Sequence, residues 1–124
     1  IIGDKNNDAF KKAIETLKKF NIVPIFDKKP NPKSINIEFT YFDEPIGKKE
    51  ELIIYCPLLL EKDDKAESAL NFLKHTNHGQ WVGINNGINA AVAAVEIMNI
   101  DNEYEEMLLA YRREMGKKVL ESNK

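Results

Sequence analysis

Cysteine is nearly missing from this chain. Cys56 is the only one in 124 residues, so no internal disulfide can form and the expected setting is a reducing one. No apolar run approaches the roughly 20 residues needed to span a bilayer, and no signal-like segment is visible, so neither membrane nor export is expected. Charge of one sign is also lacking. The net charge is −2, and lysines alternate with acids in stretches such as "KKAIETLKK", the pattern of solvated helix faces rather than of a nucleic-acid surface. Histidine occurs twice only, as His75 and His78. There is no Walker loop and no G-x-G-x-x-G fingerprint. The expected location is cytoplasmic. A start at Ile1-Ile2 without Met is expected of a chain from which N-terminal residues are absent.

What remains is the composition of an ordinary globular domain, with 43% apolar and 31% charged residues. The length fits a single domain over 1–124. Ile1-Ile2 reads as the end of a buried strand. "NND" then supplies helix caps, and Phe10, Ala13, Ile14 and Leu17 recur at helical spacing up to about Asn21. "IVPIF" (22–26) is a short apolar run, followed by the loop "DKKPNPKS". Residues 35–41 alternate apolar and polar, which predicts a half-exposed strand near a sheet edge. "ELIIYCPLLL" (51–60) predicts a central buried strand, stopped or bent at Pro57. A helix carrying Ala66, Ala69, Leu70 and Leu73 is expected next, then a strand over 81–84. An Ala/Val-faced helix follows, and a last one over 102–122 striped by Tyr104, Met107, Leu108, Tyr111, Met115 and Val119.

Strands alternating with helices, with runs too continuous for one-sided sheets, predict an α/β fold whose parallel sheet is covered on both faces. Ligands of such sheets bind beyond the carboxyl ends of strands. Two loops there have suitable chemistry, "GDKNND" after the first strand and "NNGIN" after the last, since helix N-termini present N–H donors to anions. Ordinary turns and caps are the competing reading of each loop.

The opening "IIGDKNNDAFKKAIETLKKFNI" together with "NAAVAAVEIM", "AYRREM" and "KKVLE" near the end resembles the N5-carboxyaminoimidazole ribonucleotide mutase family of purine biosynthesis, the catalytic subunit of phosphoribosylaminoimidazole carboxylase. The resemblance covers roughly half the chain. It implies a flavodoxin-like three-layer α/β/α subunit with a long C-terminal helix that reaches a neighbour in a homo-oligomer, commonly an octamer. It further implies a phosphoribosyl-aminoimidazole-type nucleotide as substrate; no cofactor is expected, and two histidines without a clear third or fourth ligand give no metal signal. In that reading Gly3 permits close approach and the first helix N-terminus, near Asn6 and Asn7, takes phosphate. Asp4 or Asp8 takes the ribose hydroxyls, while Lys29 contacts phosphate and Asn85, Asn86 and Asn89 line the nucleotide site.

Two departures from the family bear on chemistry. Where the family has Ser-Ala-His-Arg-Thr-Pro after the second strand, this chain has "DKKPNP", and the Gly-rich loop after the third strand is replaced by "IIYCPLLLEKDDKAES". A lysine with an ordinary pKa of about 10.4 needs a downward shift of about three units, roughly 4 kcal/mol, to exchange protons as histidine does. His75 and His78 are therefore the catalytic candidates, against a plainer role in capping the end of a helix. Cys56, on a buried strand, reads as a core residue. The competing functional reading is a non-catalytic interaction or regulatory domain that uses the same fold to oligomerise.

Overall fold

A computed structural model describes residues 1–41, 51–59, 67, 80–100 and 102–122. Three strands, β1 (Asn36–Tyr41), β2 (Ile53–Leu58) and β3 (Gln80–Trp81), form an all-parallel sheet in the order β1-β2-β3. Backbone hydrogen bonds extend the sheet beyond β1. The Ile2 N–H donates to Ile37 O at 2.8 Å and the Phe39 N–H to Ile2 O at 2.9 Å. One segment further out, the Asp27 N–H donates to Ile1 O at 3.2 Å, and the Ile1 nitrogen donates to Ile25 O at 2.8 Å.

The expectation for 35–41 needs correcting. β1 is paired on both sides, and its polar positions Asn36 and Thr40 are 4% exposed. The alternation is real, but two of its three polar side chains, Asn36 and Thr40, are buried, and hydrogen bonds permit it. Asn36 Nδ2 donates to the carbonyls of Asn31, Ser34 and Leu52, and its Oδ1 accepts from the Asn31 N–H. "IVPIF" adds no regular strand, and Val23 and Ile25 stand exposed.

β2 runs straight through Pro57, buried along its whole length. The ring tells instead on β3. Tyr55 O accepts from Val82 N–H and Pro57 O from Asn85 N–H, so both residues turn their backbone groups toward β3. Pro57 has no N–H to continue that ladder, and β3 stops at Trp81 rather than at 84. Trp81 stacks on Tyr55 with ring centroids 4.7 Å apart.

Helix α1 (Asp8–Lys19) buries Ala9, Phe10, Ala13, Thr16 and Leu17 on one face. It ends where Asn21 turns left-handed (φ 59°), with Ile22 N–H donating to Leu17 O and Asn21 N–H to Lys18 O. That pair of bonds is a Schellman closure, with Asn in the place glycine often takes. Helix α2 (Gly87–Met98) buries Gly87, Ala90, Ala91, Ala94 and Val95. Helix α3 (Glu105–Ser122) starts after a turn in which Asn99 accepts from the Tyr104 N–H and donates to Glu105.

The core gathers α1, α2 and Leu108 of α3 on the sheet face formed by Ile37, Phe39, Ile54, Cys56 and Leu58. Ile53, Tyr55 and Pro57, on the other face, are buried as well. The stripe expected along the last helix divides in two. Tyr104, Met107, Leu108 and Tyr111 pack on the core, whereas Met115 and Val119 are 41% and 56% exposed. Among the described residues no helix is long and apolar enough to cross a membrane.

Candidate functional site

Two loops at the carboxyl ends of the strands are drawn together by one glycine. A Cβ placed on Gly87, the first residue of α2, would stand 1.8 Å from the Ala9 carbonyl oxygen in the first turn of α1. No side chain fits that gap. Small residues carry the contact onward, with Ala13, Ala90 and Ala91 fully buried, and so the N-termini of α1 and α2 open side by side. This explains the Ala-rich face that follows the Asn-Asn-Gly turn.

The first loop is closed upon itself. Gly3 has φ 149°, and a Cβ there would meet Phe39 Cβ at 2.9 Å, so the chain leaves the sheet by a path that suits glycine. Asp4 Oδ1 accepts from the Asn6 N–H, and Asp4 O accepts from the Asn7 N–H. Asn7 is the N-cap, its Oδ1 accepting from the N–H groups of Ala9 (2.9 Å) and Phe10 (3.4 Å). Lys5 stands over the Phe26 ring, 5.0 Å from its centroid. The amides of Asn6, Asn7, Ala9 and Phe10 are thus already engaged, and the carboxylates of Asp4 and Asp8 are exposed beside them. This arrangement suits hydroxyl groups better than anions.

The second loop is pinned at its base and open at its tip. Asn85 is left-handed (φ 57°); its N–H donates to Pro57 O at 2.8 Å and its Oδ1 accepts from the Leu59 N–H at 3.0 Å, which ties the turn to the end of β2. Asn86 caps α2, accepting from the Asn89 N–H at 3.0 Å. Among the described residues no hydrogen bond engages the N–H of Gly87 or Ile88, and the first turn of α2 carries no acid. Two amides without a partner among the described residues, with the positive end of a helix dipole, make this terminus the better place for an anion.

Beneath it lies Cys56, fully buried. Burial pushes its thiol up to about 12, against a smaller opposing pull from the Asn86 backbone N–H, so it is neither accessible nor ionised near neutrality. Tyr55, on the other sheet face, is also raised, by burial first and then by Glu38 and Glu51.

Of the residues expected at the site, Gly3, Asp4, Asn6, Asn7 and Asp8 form the first loop and Asn85, Asn86 and Asn89 the second. Lys29 stands elsewhere, on a pocket whose walls include neither loop. His75 and His78 lie outside the described residues, as does most of the helix expected between β2 and β3. Gly87 was not foreseen as the contact that joins the loops; its position one residue after a cap and before an Ala-faced helix is the signal that marks it. Among the described residues no three His, Cys, Asp or Glu side chains gather as metal ligands do. No protein-family model matches this chain, and no curated protein matches it either.

Proposed function

We propose that the chain is a shortened relative of the N5-carboxyaminoimidazole ribonucleotide mutase family that binds a phosphoribosyl-aminoimidazole-type nucleotide across its two loops. The observation that carries this reading is the Gly87–Ala9 contact, which sets two helix N-termini together at the carboxyl end of a parallel sheet. In this reading the phosphate sits at the N-terminus of α2, on the amides of Gly87 and Ile88. Asp4 and Asp8 accept from ribose hydroxyls, and Asn89 faces the ligand from the first turn of α2. The assignment of phosphate moves from α1 to α2 because Asn7 already accepts from the Ala9 and Phe10 amides and acids stand beside them.

A flavodoxin-like, three-layer subunit belongs to the same proposal. Backbone bonds order the parallel segments as 22–27, 1–2, β1, β2, β3, which supports it because that order is the flavodoxin one. Neither loop holds a histidine, so proton transfer between the exocyclic nitrogen and the ring carbon falls to His75 or His78. Titration calorimetry with 4-carboxy-5-aminoimidazole ribonucleotide, against ribose 5-phosphate, tests the reading. Micromolar binding that depends on the base is expected; a folded protein that binds neither ligand would sink it.

One observation favours the non-catalytic, oligomeric alternative. From Arg112 to Ser122 every residue of α3 is exposed, including Met115, Val119 and Leu120. Sedimentation of Val119→Glu beside the parent chain separates the two. An oligomer that dissociates while nucleotide binding is absent would leave assembly as the function.

A further inference from the structure

Between the C-terminal halves of α1 and α2 and the start of β1 lies a pocket of about 410 Å³, at the other end of these helices from the two loops. Its floor is apolar, made by Leu17, Ile35, Ile37, Ala94 and Met98, and its mouth carries Lys29 and Lys33. Among the described residues neither lysine has an ion-pair partner. The loop that holds them is not slack. Asn36, buried, bonds to Asn31 and Ser34, and Asn31 Oδ1 accepts from the Lys33 N–H at 2.9 Å, so the backbone beneath Lys33 is set before any ligand arrives. Asp27 stands on the same wall, its carboxylate accepting from the Lys28 N–H.

We propose that this pocket is a binding site for a small amphipathic carboxylate, its apolar body on the floor and its carboxylate between Lys29 and Lys33. Each feature narrows the ligand class. An apolar floor takes a hydrocarbon or aryl body, and the volume admits on the order of a dozen non-hydrogen atoms at about 30 Å³ each. Two lysines, with Asp27 the one carboxylate among the lining residues, favour an anionic head group at the mouth. Lysines act there as point charges, without the planar fork that marks phosphate sites built from arginine. The site is separate from the nucleotide loops and does not rest on that reading.

Amide-resolved NMR titration with octanoate tests the proposal, with octan-1-ol as a body without charge and acetate as a charge without body. Octanoate should move the amides of Ile35, Ala94 and Met98 and bind about tenfold more tightly than octanol, the worth of one charge-assisted contact. Acetate should leave those amides unmoved. Lys29→Gln with Lys33→Gln should bring octanoate down to the affinity of octanol without altering octanol itself. Should that variant fold poorly, a salt series on the parent chain decides the matter, because screening should weaken octanoate and not octanol. Octanoate no tighter than octanol, a salt-independent affinity, or shifts confined to the exposed face of α3 would each overturn it.

Discussion

The N-termini of α1 and α2 lie side by side, are capped by the same residue type, and differ in what they leave open. Asn7 accepts from two amides of α1, and acids flank them; Asn86 accepts from one amide of α2, with no acid in the first turn. A cap therefore does not make every helix terminus an anion site. What matters is how many donors survive the cap and which charges stand beside them.

The largest way to break the comparison is to push the two termini apart. Gly87→Ala places a methyl within 1.8 Å of the Ala9 carbonyl, where backbone rather than a flexible side chain must yield. A loss of about 3 kcal/mol or more is expected in urea denaturation, at the upper end of overpacking costs. Binding at both loops should be lost with it.

The next effect is set by pH, through the thiol beneath α2. The Cys56 thiol has its pKa raised in the folded protein, so between pH about 9 and 12 the unfolded chain has lost a proton that the native one keeps. Stability then falls as pH rises, by about 1.4 kcal/mol per unit from this group. Comparing parent and Cys56→Ala isolates it from tyrosines that titrate nearby, and the parent should lose stability faster above pH 9. Equal slopes would mean that the thiol is not sealed under the helix.

Smaller still are the caps. Asn7→Ala and Asn86→Ala should each cost about 1 kcal/mol in thermal unfolding. Only Asn86→Ala should also weaken ribose 5-phosphate, because α2 and not α1 is the proposed phosphate site. Asp8→Ala should have the least effect on folding, a few tenths of a kcal/mol from the helix dipole, since Asp8 follows the cap rather than forming it. Its effect should appear in the affinity for ligands with free ribose hydroxyls and be absent for inorganic phosphate.

Local signals were legible in the sequence. Asn7, the spacing of Phe10, Ala13 and Leu17, and Asn21 delimit α1 because capping and periodicity are properties of neighbours in the chain. The continuous run from Ile53 to Leu58 announced a buried parallel strand for the same reason. Contacts between distant segments were not legible. Alternation in 35–41 suggested an exposed face, yet Asn36 reaches Leu52 sixteen residues away and is buried by that bond and its companions. The missing N–H of Pro57 acts on β3, not on its own strand. At the candidate site the two loops were visible as turns rich in Asn, but their adjacency depends on Gly87 meeting Ala9, and no local pattern carries that pairing.

That contact also acts as a fixed spacer. Backbone meets backbone there, so the distance between the two loops is set by main-chain atoms and not by the rotamer of any side chain. Leu17 and Met98 stand toward the other ends of the same helices, at the wall of the lysine-rimmed pocket. The helix pair is thus gauged by backbone at one end and by side chains at the other.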